Sequence, residues 1–230
     1  MAKFKIIGLI ILIILAFLVV LGVFIINNGE ITRIGSQSIG YVDKIVYSHH
    51  PNASTKIAVV TNMHPRENLS SSALDEVIKQ IALLYDVDIV NYDVTVLESP
   101  DDFYQGRANG EKLVREYVAP DVNNSDLDLV IIAHDHEKGY GEGFYIATPN
   151  MDEPSVSLAE KVKKNLTNFS YYKRHSERRP RSTSILGVNQ HIVDTNTSLF
   201  VYEAPEWLSY DEVFSKSEEL IKASIYALNN

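Results

Sequence analysis

Short apolar runs alternate with helix-like segments along most of this chain of 230 residues, and this alternation constrains the fold more than any other feature. Residues 56–61 (KIAVVT) form a continuous β-branched run that is typical of a buried strand. The next segment, residues 68–85, has apolar residues at helical intervals: Leu74, Val77, Ile78, Ile81 and Leu84. Strands that alternate with helices predict an α/β fold, here a three-layer sandwich with a mixed, mostly parallel sheet.

Other apolar segments extend this pattern. Further strands are expected over residues 41–47, 87–97, 127–133, 143–147 and 198–202. Further helices are expected over residues 110–118, 155–165 and 210–228.

The amino terminus differs from the rest of the chain. Residues 6–26 carry no charge, which matches the roughly 20 apolar residues that a helix needs to span a bilayer. Lys3 and Lys5 precede this run, so the short amino-terminal flank is expected in the cytoplasm and the remainder outside it. A cleaved signal peptide is the alternative, but its apolar region is usually only about 7–15 residues long. We expect a transmembrane anchor over residues 1–27, a linker over 28–40, and one hydrolase domain over 41–230.

Charge and composition exclude several classes of function. Removing the two amino-terminal lysines from the formal charge of −9 leaves −11 on the remainder, which disfavours nucleic acid as a partner. The chain has no cysteine, so a thiol nucleophile and a thiolate metal site are both excluded. N-glycosylation sequons fit a cell-surface glycoprotein. They begin at Asn52, Asn68, Asn123, Asn165, Asn168 and Asn196.

Three predicted strands end on side chains that can bind a metal or move a proton. His64 and Glu67 lie at the turn after the strand over residues 56–61, and Glu203 follows the strand over residues 198–202. The strand over residues 127–133 ends on His134-Asp135-His136, in which either histidine could be a ligand because residues two apart share a face. Open α/β sheets bind ligands at the carboxyl ends of their strands. Catalytic zinc typically has three protein ligands and an open position, so this set indicates a zinc site. The alternative is a helix amino terminus at which Glu67 only complements the dipole.

These motifs resemble those of the zinc metallocarboxypeptidases: His-x-Arg-Glu at a strand–helix turn, then a strand ending in histidine, then a strand ending in glutamate. The Glu-Ala-Pro ending and short spacing look closer to the branch that contains succinylglutamate desuccinylase and aspartoacylase. The resemblance covers roughly residues 45–225. It implies Zn²⁺ held by His64, Glu67 and His134, with Glu203 as the general base that activates the metal-bound water.

Substrate recognition departs from that family's pattern. Its carboxypeptidases grip the substrate carboxylate with an Asn-Arg pair, and this sequence contains no such dipeptide. Arg107 is the candidate replacement, as a catalytic oxyanion contact or a substrate-carboxylate contact. Asp135 and His136 are expected to orient a ligand or to bind substrate. The basic segment over residues 171–183 is either a solvated loop or a loop that binds an acidic substrate group.

The sequence thus predicts a membrane-anchored, extracytoplasmic zinc hydrolase of amide or peptide bonds, of the carboxypeptidase or deacylase type. Its expected substrate is a peptide or an acylated amino acid, including fragments of the cell envelope. A binding module of the same fold that has lost catalysis is the main alternative. A closed, purely structural metal site is a third.

Overall fold

The computed structural model describes residues 2–27, 29–173 and 183–230, and in the first helix it describes the side chains of residues 7–18 and 22. The strands are β1 (Glu30–Gln37), β2 (Gly40–Tyr47), β3 (Lys56–Thr61), β4 (Asp88–Val96), β5 (Leu129–His136), β6 (Phe144–Thr148), β7 (Phe169–Lys173) and β8 (Ser198–Pro205). The helices are α1 (Ala2–Asn27), α2 (Leu69–Leu84), α3 (Phe103–Leu113), α4 (Ala119–Asn123), α5 (Glu153–Lys163), α6 (Gln190–Val193) and α7 (Tyr210–Leu228). Two short segments, Val114–Val118 and Ile185–Asn189, have π-helical hydrogen bonding.

The eight strands form one sheet in the order β1-β2-β4-β3-β5-β8-β6-β7. Strand β3 pairs in parallel with β4 and β5, and β5 pairs in parallel with β8. The pairs β1–β2, β2–β4 and β6–β8 are antiparallel, so the sheet is mixed, as predicted. Because β3, β5 and β8 run in the same direction, their carboxyl ends meet at one edge of the sheet.

Apolar side chains cover both faces of this sheet, because successive residues of a strand point to opposite sides. In β3, Ile57 and Val59 belong to one apolar cluster, whereas Ala58 and Val60 belong to another. The first cluster includes side chains of α2, α5 and α7, and the second includes side chains of α3, α4 and α6. The sheet therefore lies between two helical layers.

The segment expected to be a linker contains a strand. Within residues 28–40, Glu30–Gln37 forms β1 and pairs with β2 across a tight turn. Its side chains are mostly exposed, since β1 is the edge strand, and this explains a polar sequence without apolar alternation. The guanidinium of Arg33 donates to both carboxylate oxygens of Asp43 on β2, at 2.9 Å each, and joins the two strands.

The helical region before β5 is longer than predicted. The sequence predicts a helix over residues 110–118, but α3 begins at Phe103, where the Asp102 side chain accepts hydrogen bonds from the backbone of the first turn. Gly106 and Gly110 lower the helical propensity of this region, which conceals it in the sequence. A Cβ at Gly110 would lie 1.7 Å from the carbonyl oxygen of Met63, so glycine permits α3 to pack against the chain just before His64.

The predicted anchor coincides with α1, a helix of 26 residues. The described side chains of residues 7–18 are all exposed. Within the described part of the chain, no helix meets the length and apolarity needed to cross a membrane. The anchor over residues 1–27 therefore stays a prediction.

The basic segment over residues 171–183 lies mainly outside the described residues. Residues 171–173 belong to β7, which the sequence does not predict, and residues 174–182 are not described. The hypothesis that this segment binds an acidic substrate group stays open.

Candidate metal centre

The turn between β3 and α2 brings His64 and Glu67 together. The backbone N–H of Glu67 donates to the carbonyl of His64 at 2.9 Å, which closes a turn directly after the strand. Nδ1 of His64 then lies 3.0 Å from Oε2 of Glu67. The helix starts two residues later, at Leu69, so both side chains stay at the edge of the sheet.

His134 completes the cluster from β5. Its Nδ1 lies 2.7 Å from the same Glu67 oxygen, and its ring centroid is 4.4 Å from that of His64. One ligand atom from each of the three residues lies within 4.8 Å of the others. Two imidazole nitrogens and a carboxylate oxygen are a donor set that suits zinc, and small adjustments of the side chains would allow ligand–zinc bonds of the usual length, about 2.0–2.2 Å. The residues present therefore fit the metal.

The charge at Glu67 matches the role of a ligand. Burial disfavours its ionised form, but the charges and hydrogen bonds of His134 and His64 outweigh this effect. The pKa of Glu67 therefore lies well below that of an ordinary glutamate. The carboxylate is therefore anionic and accepts hydrogen bonds from the two imidazoles. A bound cation would take the place of the hydrogen atoms in these bonds.

His136, the other candidate for the third ligand, is not part of this cluster. Its side chain points to the same face as His134, but its Nε2 lies 2.9 Å from the carbonyl oxygen of Gly143. Tyr145 and Trp207 contact its ring, each with centroids 5.3 Å away. The structure thus brings His134, and not His136, to His64 and Glu67. His136 instead contacts the carbonyl of Gly143 and neighbouring aromatic rings.

Glu203 lies beside the cluster on the neighbouring strand. In the sheet register it is directly opposite His134, and both side chains project from the same face. Glu203 is half-buried. Burial is the largest influence on its carboxyl group and raises the pKa of Glu203 to about 7. A carboxylate with a raised pKa next to a metal centre has the properties of a general base.

Arg107 reaches the centre from α3. Its Nη1 donates to Oε1 of Glu67 at 2.5 Å, which is the oxygen that does not face the histidines. Its guanidinium also packs on the ring of Phe103, 5.6 Å from the centroid. The predicted cation is therefore beside the candidate ligands, where it can meet an anionic group of a substrate.

Asp135 has a different position from the one predicted. Its side chain points away from His134 and accepts hydrogen bonds from the backbone N–H groups of Leu69 and Ser70, at 2.6 and 2.8 Å. It thereby caps the amino terminus of α2, whose own N-cap residue, Asn68, makes no side-chain cap. Asp135 therefore connects β5 to the helix that follows His64 and Glu67. Its predicted contact with a substrate stays a prediction.

One residue of the site, Glu111, is absent from the sequence-based prediction. This buried carboxylate lies 3.5 Å from Nε2 of His64 and accepts hydrogen bonds from the hydroxyl groups of Ser184 and Thr183, at 2.6 and 3.1 Å. Burial opposes its ionisation, but these partners outweigh that effect and lower the pKa of Glu111. A carboxylate behind a ligand histidine fixes the orientation of the imidazole. The neighbouring Gly110, unusual inside a helix, is the signal that could have revealed this close approach.

No known family profile matches the chain, and no curated protein matches it by sequence. Solved structures do match. A metallo-carboxypeptidase from Burkholderia cenocepacia aligns with a TM-score of 0.61 at 13% identity, over 90% of this chain and 66% of that protein. The chain has the metallo-carboxypeptidase fold.

Two further solved structures support this assignment of the fold. A metallo-carboxypeptidase from Pseudomonas aeruginosa, in complex with (2-guanidinoethylmercapto)succinic acid, aligns with a TM-score of 0.54 at 16% identity, over 87% of this chain and 64% of that protein. The tripeptide-bound cell shape determinant Csd4 from Helicobacter pylori aligns with a TM-score of 0.57 at 10% identity, over 82% of this chain and 55% of that protein. The chain thus spans between about half and two thirds of the length of these proteins.

The comparisons show the fold, and the cluster of His64, Glu67 and His134 is a candidate metal site within it. The identities are too low to transfer activity or substrate. The predicted likeness to the branch of succinylglutamate desuccinylase and aspartoacylase stays a prediction.

Proposed function

We propose that this protein is a membrane-anchored, extracytoplasmic zinc-dependent hydrolase of amide or peptide bonds, of the carboxypeptidase or deacylase type. The observation that carries this proposal is the convergence of His64, Glu67 and His134 next to Glu203, at the edge where β3, β5 and β8 end.

His64 and His134 would hold zinc through Nδ1, and Glu67 through its carboxylate. When bound, zinc lowers the pKa of coordinated water to about 7 and polarises a carbonyl. Glu111 faces the opposite nitrogen of His64, so it favours the orientation in which Nδ1 points to the centre.

Glu203 is the proposed general base. As a carboxylate it accepts the proton of the attacking water, and as a carboxylic acid it returns that proton to the leaving nitrogen. Its pKa of about 7 suits both halves of this cycle, because neither protonation state is strongly disfavoured near neutral pH. Its position opposite His134 keeps it beside the metal ligands without making it one of them.

Arg107 is the proposed contact for a substrate carboxylate or for the oxyanion that develops during hydrolysis. Its guanidinium carries several donors, so it can bind an anion while it keeps its contact with Glu67. The sequence has no Asn-Arg pair to bind a substrate carboxylate. Arg107 is a cationic side chain that contacts the cluster and can take this role.

The substrate class follows from the same contact. One aligned metallo-carboxypeptidase holds a succinic acid derivative and Csd4 holds a tripeptide, both of which carry carboxylates. We infer that the substrate here is a peptide or an acylated amino acid, including fragments derived from the cell envelope.

The topology is part of the proposal. Two observations support it: Lys3 and Lys5 before the uncharged run favour a cytoplasmic amino terminus, and the apolar side chains of residues 7–18 in α1 are exposed. The domain over residues 41–230 would then lie outside the cytoplasm, where its sequons can be glycosylated if the transferase is present. Protease added to intact cells should remove this domain, and complete protection would contradict the orientation.

A hydrolysis assay tests the activity. Full-length protein loaded with zinc should release free amino acid from N-acylated amino acids or short peptides, lose this activity with a chelator, and regain it when zinc is restored. The absence of an Asn-Arg pair weakens the site for a substrate carboxylate and favours one alternative, a binding module without catalysis. Zinc and ligand binding without turnover on any of these substrates would support that alternative.

A further inference from the structure

Aromatic side chains line the β6 side of the candidate centre. Tyr145 of β6 is the register partner of Glu203. Tyr140, from the loop between β5 and β6, and Trp207, which follows β8, both contact the ring of His136, with centroids 6.4 and 5.3 Å away. We call Tyr140, Tyr145 and Trp207 the aromatic wall.

Two members of the aromatic wall are exposed. Tyr140 is 69% and Trp207 is 40% exposed, whereas Tyr145 is buried. Burying these two rings does not contribute to the core, so the fold alone does not explain them. Exposed aromatic surface beside a cluster of polar side chains is typical of a ligand site.

The aromatic wall lies beside the metal centre. Tyr145 pairs with Glu203 across β6 and β8. The ring of His136, which Tyr140 and Trp207 contact, is two residues from His134 on the same face of β5, so these aromatic rings lie next to the proposed metal ligands. Gly139 and Gly143 belong to the same loop and have φ of +93° and +60°, conformations that favour glycine. They allow the turns of the backbone that position Tyr140.

We propose that the aromatic wall is a subsite that binds an aromatic ring of the substrate, carried on the amino acid or acyl group next to the scissile amide. This proposal rests on the hydrolase function proposed above and specifies its substrate class. Aromatic rings attract each other edge-to-face or offset at centroid distances of about 4.5–7 Å, which the exposed rings of Tyr140 and Trp207 offer. The ammonium of Lys138, 5.7 Å from the Trp207 ring, favours a substrate with a negative charge near that ring.

Trp207 makes this proposal directly measurable, because it is the only tryptophan in the chain. The full-length Glu203→Gln variant, which should bind without turnover, is titrated with N-acetylphenylalanine and with N-acetylalanine while tryptophan fluorescence is recorded. Both ligands carry the same carboxylate and amide and differ only in the ring. N-acetylphenylalanine should change the fluorescence saturably and bind about 10-fold more tightly.

A second variant keeps the test specific. Adding Tyr140→Ala should remove most of the preference for the ring, whereas Tyr104→Ala, which removes another exposed tyrosine, in α3 and outside the aromatic wall, should retain it. Equal affinities for the two ligands, or a preference that survives Tyr140→Ala, would overturn the proposal.

The subsite and the hydrolase function fail separately. If the zinc-loaded parent hydrolyses neither N-acetyl amino acids nor short peptides while N-acetylphenylalanine still binds preferentially, the hydrolase proposal fails and the subsite stands. If the parent hydrolyses both with equal kcat/KM and the fluorescence shows no preference, the hydrolase proposal stands and the subsite is refuted.

Discussion

Two regions of the molecule contain several acidic side chains, and they differ in the partners of those carboxylates. At the candidate metal centre, Glu67 shares one oxygen between Nδ1 of His64 and Nδ1 of His134. A second region, also near the end of β3, is a cavity of about 350 Å³ that is lined by Asp75 and Asp93. There the partners are a lysine and an amide instead of imidazoles.

The cavity can be explained by folding alone. Lys79 donates to Asp75 at 2.6 Å, and the side-chain amide of Asn62 donates to Asp93 at 2.8 Å. Burial raises the pKa of Asp93, which shows that its negative charge is poorly compensated. At the metal centre the opposite holds for Glu67, whose charge is strongly favoured. The candidate metal site is therefore marked by the combination of imidazole and carboxylate. Neither the number of acidic residues nor the size of a cavity identifies it.

The largest expected effect separates the base from the ligands. Glu203→Gln should reduce turnover by roughly 10²–10⁴-fold, because the proton acceptor is lost, while zinc content stays near that of the parent. Turnover and zinc content are measured on the same preparation. His64→Ala is the matched comparison and should lower both quantities, since it removes a ligand. Unchanged turnover in Glu203→Gln would show that the assigned mechanism is wrong.

The second prediction concerns stability in the absence of metal. The folded protein raises the pKa of Glu203 from 4.5 to about 7, so the folded state holds this proton more tightly than the unfolded state does. Ionising Glu203 therefore lowers the free energy of unfolding. This loss of stability is absent below pH 4.5, grows as the pH rises, and is complete above pH 7. Glu203→Gln should therefore stabilise the metal-free protein by up to ~3 kcal/mol at pH 8 and by little at pH 4.

Urea unfolding of parent and variant with a chelator, at both pH values, measures this difference. A stability difference that does not change between pH 4 and pH 8 would contradict the environment assigned to Glu203.

The third prediction concerns Glu111. Glu111→Gln should weaken zinc affinity by roughly 10–100-fold, because the imidazole of His64 loses the carboxylate that orients it. Competition with a zinc-binding dye measures the affinity. Glu116→Gln, on the same helical region but exposed, is the control and should leave the affinity unchanged. If both variants bind zinc like the parent, Glu111 does not support the metal site.

The smallest effect is expected in the cavity. Asp93→Asn should leave zinc content and turnover within about twofold of the parent and change stability by less than ~1 kcal/mol, because an amide oxygen can still accept from Asn62. Zinc content, turnover and a denaturation curve test this. A large loss of zinc in this variant would remove the distinction between the two regions.

The candidate centre could be predicted from sequence because its ligands follow apolar strands. His64, His134 and Glu203 each come directly after, or close to, a β-branched run, and parallel strands bring such ends to one edge. The choice between His134 and His136 required the fold, because both project from the same face. The structure decides between them, since His134 contacts Glu67 whereas His136 contacts the carbonyl of Gly143.

Other features depend on contacts that sequence patterns do not contain. Strand β1 is polar because it lies at the sheet edge, and its partner β2 defines it. Glu111 approaches His64 only because Gly110 lets α3 pack closely on Met63. The sequence predicts that Asp135 orients a ligand or binds substrate. In the structure its carboxylate accepts hydrogen bonds from the first backbone N–H groups of α2. In each case a tertiary contact, and not a local pattern, determines the role.

The location of bound zinc is the direct test of the site formed by His64, Glu67 and His134. A crystal of the zinc-loaded protein, with diffraction recorded on both sides of the zinc absorption edge, should show one anomalous peak per chain. We expect it about 2.0–2.2 Å from Nδ1 of His64, Nδ1 of His134 and a carboxylate oxygen of Glu67, with a position open to solvent and Glu203 outside the ligand set. A peak in the cavity of Asp75 and Asp93, or a site closed by four protein ligands, would contradict the account.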